Sequence, residues 1–314
     1  MGSLSSIAVV SANDVWAVGY YYTSSYIDQT IIEHWNGTAW ADVPSPNSGS
    51  DRNRLTGVSA MSANDVWAVG YYYDGVSAYR TLIEHWNGTA WLFVSSPNVG
   101  STYNELNGVA VVSANDVWAV GSSGDSFGLY STLTEHWNGS SWSVVSSPNA
   151  GSIPNELNGV AVVSANDVWA VGYYYNGTVY QTLIEHWNGT AWAVVPSPNS
   201  GSDRNRLTGV SAMSANDVWA VGYYDSGTIA LDTLVEHWNG TAWAVVPSPN
   251  SGSARNELNA IAVVSANIVW TVGYSSSGQT LTERYADPCA AVCTIQFTDV
   301  PSGSTFYPFV TCLA

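Results

Sequence analysis

Apolar residues occur along the chain in short runs, four to each block of about 50 residues, and polar clusters separate the runs. In one block the runs read LNGVAVVS (157–164), DVWAVGYYY (167–175), TLIEHWNG (182–189) and AWAVVPSP (191–198). They are rich in Val, Trp, Tyr and Thr and are bounded by Asn, Gly, Ser and Pro, which predicts β-strands. No segment sustains the period of an amphipathic helix, so we predict an all-β protein.

One phrase, SANDVWAVG, begins at residue 11 and returns almost unchanged at 62, 113, 164, 214 and 265. A repeat of about 50 residues with four antiparallel strands predicts a six-bladed β-propeller over residues 1–286, followed by a tail at 287–314. Blades are covered on both faces, which explains the nearly continuous apolar runs. A linear β-solenoid is the alternative. Ser-Ala-Asn-Asp is expected to be the turn that joins the first two strands of each blade.

A second phrase, EHWNGTAW, contains Asn-Gly between aromatic residues, which predicts a hairpin with a two-residue turn. Glu33 then opposes Trp40, while His34 points to the other face, so the adjacent acid and base cannot form a dyad within a blade. We expect these residues to link neighbouring blades instead, with Arg replacing His in the last unit. The pairs are Glu33/His34, Glu84/His85, Glu135/His136, Glu185/His186, Glu236/His237 and Glu283/Arg284.

Units of the form SANDVWAVG…EHWNGTAW, across residues 5–286, resemble extracellular bacterial propeller repeats grouped with Kelch and Asp-box propellers. The resemblance implies a propeller. The chain lacks the paired glycines of Kelch repeats and the full Asp-box, so no motif supports a galactose oxidase or a sialidase. The segment FTDVPSGSTFYPFV (297–310) resembles the start of an S-layer homology module, which implies anchoring to cell-wall polymer if the native chain continues.

The end of the chain raises two further expectations. The sixth unit stops at TLTERYAD (280–287), one strand short of a blade, and CTIQFTDV (293–300) is expected to complete it. Otherwise the open edge is available for self-association with another molecule. The disulfide candidates are Cys289, Cys293 and Cys312, and zinc is the weaker alternative because no histidine lies near them.

The net charge of the chain limits the classes of molecule that it can bind. All 7 basic residues are arginine and the formal net charge is −17, which disfavours nucleic acid. The chain contains no run of 18 apolar residues, so the sequence predicts no membrane-spanning helix. No cofactor or metal site is expected, because no spaced histidine cluster or catalytic triad stands out from the repeat. We expect an extracellular or cell-surface location.

The blades have diverged little, since residues 47–72 and 199–224 are identical. Identical blades favour repeated weak binding over catalysis. Tyrosines beside polar groups in loops on one rim suit carbohydrate, although they equally suit the packing of the outer blade wedges. The candidate ligand contacts are Tyr21, Tyr22, Tyr72, Tyr73, Tyr174, Tyr175, Tyr224, Arg52 and Arg204.

Six glycosylation sequons also occur, five of them in the hairpin turns, where the turn itself explains the Asn-Gly pair. They are Asn36, Asn87, Asn138, Asn176, Asn188 and Asn239. The sequence therefore predicts a non-catalytic propeller that binds glycans or acts as a scaffold. The alternatives are a structural subunit of a surface layer or filament, and a hydrolase or lyase that acts on polysaccharide.

Overall fold

The structure, a computed structural model, describes residues 2–125, 128–227, 230–251, 255–276 and 278–286. These residues form six antiparallel sheets, each built from consecutive strands in chain order. The first five sheets have four strands, and the sixth has three among the described residues. Each repeat is thus one blade, which confirms the predicted all-β, six-bladed propeller.

The strands follow the repeat closely. The first strands of the blades are β1 (Gly2–Ser11), β5 (Asp51–Ser62), β9 (Tyr103–Ser113), β13 (Ser152–Ser164), β17 (Asp203–Ser214) and β21 (Asn256–Ser265). The second strands are β2 (Asp14–Tyr22), β6 (Asp65–Tyr73), β10 (Asp116–Gly124), β14 (Asp167–Tyr175), β18 (Asp217–Asp225) and β22 (Ile268–Ser275). The third strands are β3 (Asp28–Trp35), β7 (Tyr79–Trp86), β11 (Ser131–Trp137), β15 (Tyr180–Trp187), β19 (Leu231–Trp238) and β23 (Thr280–Ala286). The short fourth strands are β4 (Trp40–Asp42), β8 (Trp91–Phe93), β12 (Trp142–Val144), β16 (Trp192–Val194) and β20 (Trp243–Val245).

The first strands of consecutive blades contact each other, so they lie nearest the propeller axis. Because the strands alternate in direction, the loops between second and third strands share one edge with the crossovers between blades. We call this edge the upper rim. The Ser-Ala-Asn-Asp turns and the hairpin turns lie at the opposite edge, the lower rim.

The hydrophobic core is divided among the interfaces between blades. Between blades three and four, for example, Trp118 is buried and its ring lies 4.9 Å from that of Trp187 and 5.2 Å from that of Trp192. Leu157 and Val168 complete this cluster from the fourth blade. Blades two to five therefore bury apolar side chains on both faces, which is why their strands do not show a simple apolar-polar alternation.

The glycine of the repeated phrase allows the first two strands to approach each other closely. A Cβ atom at Gly172 would lie 1.9 Å from the backbone oxygen of Glu156, on the neighbouring first strand. The pairing of β13 with β14 shifts register between Leu157 and Gly159, next to this contact. Glycine is required here by the close backbone approach at a β-bulge.

The hairpin turn differs from the predicted two-residue turn. Trp35 pairs with Trp40 and Glu33 with Asp42, so four residues form the loop. The side-chain oxygen of Asn36 accepts hydrogen bonds from the backbone nitrogens of Thr38 and Ala39, at 2.9 and 3.1 Å. The side chain thus stabilises a longer turn than Asn-Gly alone suggests. Glu33 and Trp40 still share one face.

The Ser-Pro-Asn crossover segments are held by the third-strand threonine of the same blade. In blade two, Thr81 Oγ1 lies 2.7 Å from Ser96 Oγ, and the Thr81 backbone nitrogen donates to Asn98 Oδ1 at 2.9 Å. Equivalent bonds form in the other four-stranded blades. These bonds fix the path of the chain at the upper rim, from which each new blade begins.

Candidate ligand-binding rim

One position on the first strand differs in charge from blade to blade although its surroundings repeat. It pairs in register with the residue at the upper end of the second strand, which is tyrosine in four of these five blades. Charged side chains of both signs therefore surround the axis near the upper rim. We call these residues the charged ring: Arg54, Glu105, Glu156, Arg206 and Glu257.

Arg54 connects the first two blades. Its Nε donates to Asp28 Oδ2 at 2.5 Å, and its guanidinium lies 4.1 Å from the ring centroid of Tyr20. The Asp28 side chain is almost fully buried, whereas Arg54 is partly exposed. The arginine thus neutralises a buried carboxylate and keeps some of its donors accessible at the rim.

Arg206 occupies the same position between blades four and five. Its guanidinium lies 4.0 Å from the ring of Tyr173 and 4.6 Å from that of Tyr180. The Tyr173 hydroxyl in turn donates to Glu156 Oε2 at 2.7 Å. Burial raises the pKa of both Glu156 and Tyr173. A cation, two aromatic faces and a carboxyl group therefore meet at one interface.

Glu105 lies at the third blade among tyrosines. Burial raises its pKa to about 7; the Tyr103 hydroxyl opposes this rise and the carboxyl group of Glu156 adds to it. The rings of Tyr103 and Tyr130 stack at 4.2 Å. The raised pKa favours the protonated form of this carboxyl group, which can donate a hydrogen bond as well as accept one.

The tyrosines predicted from sequence fall into three groups. Tyr72, Tyr174 and Tyr224 pack against the apolar clusters between blades, so these three serve the structural role that the sequence left open. Tyr73 and Tyr175 are partly buried against Tyr79 and Tyr180. Tyr21 donates to Gln29 Oε1 at 2.6 Å, and Tyr22 is exposed.

Among the described residues, the most exposed aromatic side chain of the upper rim is one that the sequence did not single out. Tyr26 is 86% exposed, and it lines an open depression together with Tyr22, Thr23 and Ser24. Its φ of 61° lies in the left-handed region. Only the backbone reveals this, because the loop TSSYI carries no sequence signal for such a conformation.

Arg52 and Arg204 are exposed at the upper rim, as their positions suggested. Both have left-handed backbone, with φ of 51° and 53°, and in each the backbone nitrogen donates to the preceding aspartate at 2.7 Å. Arg52 also donates to the hydroxyl of Tyr79. Unlike Arg54 and Arg206, these two arginines lie outside the charged ring.

The predicted link between Glu and His of neighbouring blades is corrected by the structure. Each histidine pairs instead with the aspartate of the Ser-Ala-Asn-Asp turn in its own blade; His136 Nε2, for example, lies 2.8 Å from Asp116 Oδ1. The other pairs are His34/Asp14, His85/Asp65, His186/Asp167 and His237/Asp217. The sequence held a signal for this pair, because the sixth unit has lost both residues and carries Ile268 and Arg284 instead.

In blades two to five, the third-strand glutamates face the preceding blade and are fully buried. Burial raises the pKa of each of these four glutamates to about 8. The Ser45 and Ser96 hydroxyls of the preceding blades partly offset the rise at Glu84 and Glu135. We call these residues the buried glutamates: Glu84, Glu135, Glu185 and Glu236.

The six sequon asparagines are exposed. Five lie in the hairpin turns of the lower rim, where their side-chain oxygens accept backbone hydrogen bonds from the turn. Asn176 is the exception, because it lies in an upper-rim loop and closes that turn in the same way. Any glycan on the five hairpin asparagines would project away from the charged ring.

Several sequence predictions concern residues outside the described part of the chain. They are the disulfide candidates Cys289, Cys293 and Cys312, the segment CTIQFTDV and the S-layer-like segment 297–310. Within the described residues, no group of three or more His, Cys, Asp or Glu side chains is arranged to hold a metal. That same part of the chain contains no helix long and apolar enough to cross a membrane.

Comparison with solved structures identifies the class of fold, the β-propeller. The fucose-recognising six-bladed lectin of Aleuria aurantia superposes with a TM-score of 0.55 at 11% identity, covering 90% of this chain and 91% of the lectin. YCF48 from Cyanidioschyzon merolae gives 0.53 at 12% identity, covering 91% and 95%. A GH74 xyloglucanase from Xanthomonas campestris gives 0.57 at 14% identity, and this chain covers 45% of it.

At these identities the likeness shows the fold alone. No protein-family model matches the chain, and no curated protein matches it. The function must therefore be argued from the side chains of this molecule.

Proposed function

We propose that this propeller is a non-catalytic, multivalent glycan-binding protein whose ligands contact the upper rim. The observation that supports this most is the charged ring with its tyrosines, because it brings aromatic rings, a guanidinium group and a carboxyl group together at two blade interfaces, one between blades one and two and one between blades four and five. Sugar rings stack on aromatic faces while polar groups take their hydroxyls. Lectins and glycan-active enzymes among the similar structures agree with this proposal.

Repetition supports binding by avidity. The interfaces use equivalent positions but differ in charge, so their affinities for one ligand would be unequal. A polymer that reaches several of them gains affinity through effective concentration without any single tight site. Such ligands are found outside the cell or at its surface, where the sequence analysis expects this protein to act.

Binding should involve the exposed aromatic group of the rim. After a glycan array has identified an oligosaccharide ligand, Tyr26→Ala is expected to weaken the site in blade one by about 2- to 10-fold, the effect of losing one stacked ring. In a calorimetric titration, one class of binding sites should show the weaker affinity, while the affinities of the other sites stay unchanged. Val76→Ala is the matched control, because Val76 is 83% exposed in the corresponding loop of blade two and offers no ring.

Absence of any glycan ligand on the array would contradict this proposal, and scaffolding without a glycan ligand would then be the better account. Titration curves identical for wild type and Tyr26→Ala would exclude Tyr26 from the binding site.

A polysaccharide-active enzyme is the second candidate, supported by Glu105 and Glu156. They lie on neighbouring first strands, and each carboxyl group has a raised pKa, as a general acid requires. Assay of new reducing ends with the array-selected polysaccharide separates the two functions. Catalysis predicts release that Glu105→Gln abolishes, whereas the lectin function predicts binding without release.

A further inference from the structure

The internal interfaces between blades are built from the same two faces. One face carries the second-strand tryptophan, such as Trp118, and we call it the outgoing face. The next blade presents its incoming face, which carries aromatic residues of the third and fourth strands such as Trp187 and Trp192. The second-strand tryptophans of blades one to five are buried in this way, at 1–2% exposed.

In the described part of the chain, the two end blades each leave one such face exposed. On the outgoing face of blade six, Trp270 is 42% exposed and Val272 is 47% exposed, whereas the equivalent valines of the other blades are fully buried. On the incoming face of blade one, Trp40 is 45% exposed and Ile7 is 60% exposed. The structure thus presents, at its two ends, the two halves of an interface that it buries elsewhere.

These two faces also carry opposite charges that the other blades lack. Arg284 replaces the usual histidine, and its guanidinium lies 5.9 Å from the centroid of the Trp270 ring. Asp42 occupies a position that is Phe or Val in blades two to five, and it pairs in register with Glu33. Basic charge on the outgoing end and acidic charge on the incoming end favour contact between them.

We propose that the outgoing face of blade six binds the incoming face of blade one in a second copy of this chain. The contact is head to tail, so it uses different surfaces on the two molecules and leaves one of each free for further addition. The internal interfaces indicate which surface binds there. In them, an outgoing face packs against a blade that carries a pair of tryptophans along its edge, on the third and fourth strands. Blade one of the same molecule carries that edge but leaves it exposed in this structure.

This inference is independent of glycan binding and is tested by the state of assembly. In sedimentation velocity, the wild-type mass is expected to rise with protein concentration. Trp40→Lys disrupts the incoming face of blade one, and Val272→Lys disrupts the outgoing face of blade six. Each substitution is expected to raise the dissociation constant of self-association by at least about 30-fold, as for loss of a central interface residue. Both side chains are exposed in the single molecule, so both variants should fold. Val76→Lys, on an upper-rim loop, is the control and should assemble like wild type.

Mixing the two variants gives the decisive result. Trp40→Lys still has its outgoing face and Val272→Lys its incoming face, so a mixture should form dimers and no larger species, although each variant alone is monomeric. Wild type that stays monomeric at every concentration would overturn the proposal, because the faces would then be covered within one chain, by ring closure or by residues 287–314. Dimers formed by either variant alone would overturn it too, since they indicate a symmetric interface. Glycan titration of monomeric Trp40→Lys keeps the two proposals separate.

Discussion

Trp118→Ala is expected to lower the free energy of unfolding by about 3–5 kcal/mol, the usual range for removing a large aromatic side chain from a core. The Trp118 ring is 2% exposed and fills the space between blades three and four against Trp187 and Trp192. Its removal leaves a cavity that two rigid sheets cannot easily close. Urea denaturation followed by circular dichroism measures the loss.

Trp270→Ala is the matched comparison, because Trp270 is the same residue of the repeat in blade six. Its ring is partly exposed, so the loss is expected to be below about 1 kcal/mol, as for surface substitutions. Both substitutions are best measured in the Trp40→Lys background, where self-association does not add to stability. Equal losses at the two positions would show that the outgoing face of blade six is buried within the single chain.

The number of blades and the positions of the strands could be predicted because they depend on local signals that the chain repeats six times. The second strand of blade four, for example, spans residues 167–175 in both prediction and structure. The hairpin register could not be predicted in the same way. Asn-Gly favours a two-residue turn, but the Asn36 side chain bonds Thr38 and Ala39 and selects a four-residue loop.

The candidate site was less accessible to sequence reasoning, because its contacts join different blades. Aligning the units shows Arg54, Glu105, Glu156, Arg206 and Glu257 at one variable position, yet the partners of each depend on how neighbouring sheets twist and pack. The predicted link from Glu to His failed for a different reason. Sequence correctly placed the two side chains on opposite faces, but it did not show that the aspartate at the start of the second strand reaches the histidine on the neighbouring third strand.

The stability of the folded protein is expected to fall as the pH rises from about 5 to about 8, and the buried glutamates are the main cause. Burial raises their pKa from the ordinary value of 4.5 to about 8. Between these values each carboxyl group holds its proton when folded and releases it when unfolded. Each group therefore lowers the free energy of unfolding as the pH rises through this window. The contribution of Glu105, whose pKa is about 7, has the same sign.

Glu185→Gln isolates one of these groups. Both carboxyl oxygens of Glu185 are buried without a hydrogen-bond partner in the described structure, and glutamine stays neutral at every pH. Urea denaturation at pH 5, 6 and 7 gives the slope of the free energy of unfolding against pH. In Glu185→Gln this slope should be shallower by about the contribution of one carboxyl group. Glu33→Gln is the control, because Glu33 is the equivalent residue of blade one and is partly exposed. An unchanged slope in Glu185→Gln would contradict this account.

Salt separates this effect from the general repulsion of an acidic protein. With a formal net charge of −17, the folded chain is also destabilised by repulsion among its surface carboxylates, which grows as the last of them ionise at about pH 5. That repulsion acts between exposed groups and is largely screened at about 1 M salt, where the Debye length is about 3 Å. The cost of ionising a buried carboxyl group is a desolvation cost that salt does not screen. The difference in slope between wild type and Glu185→Gln should therefore persist at high salt, while the slope shared by both proteins becomes smaller.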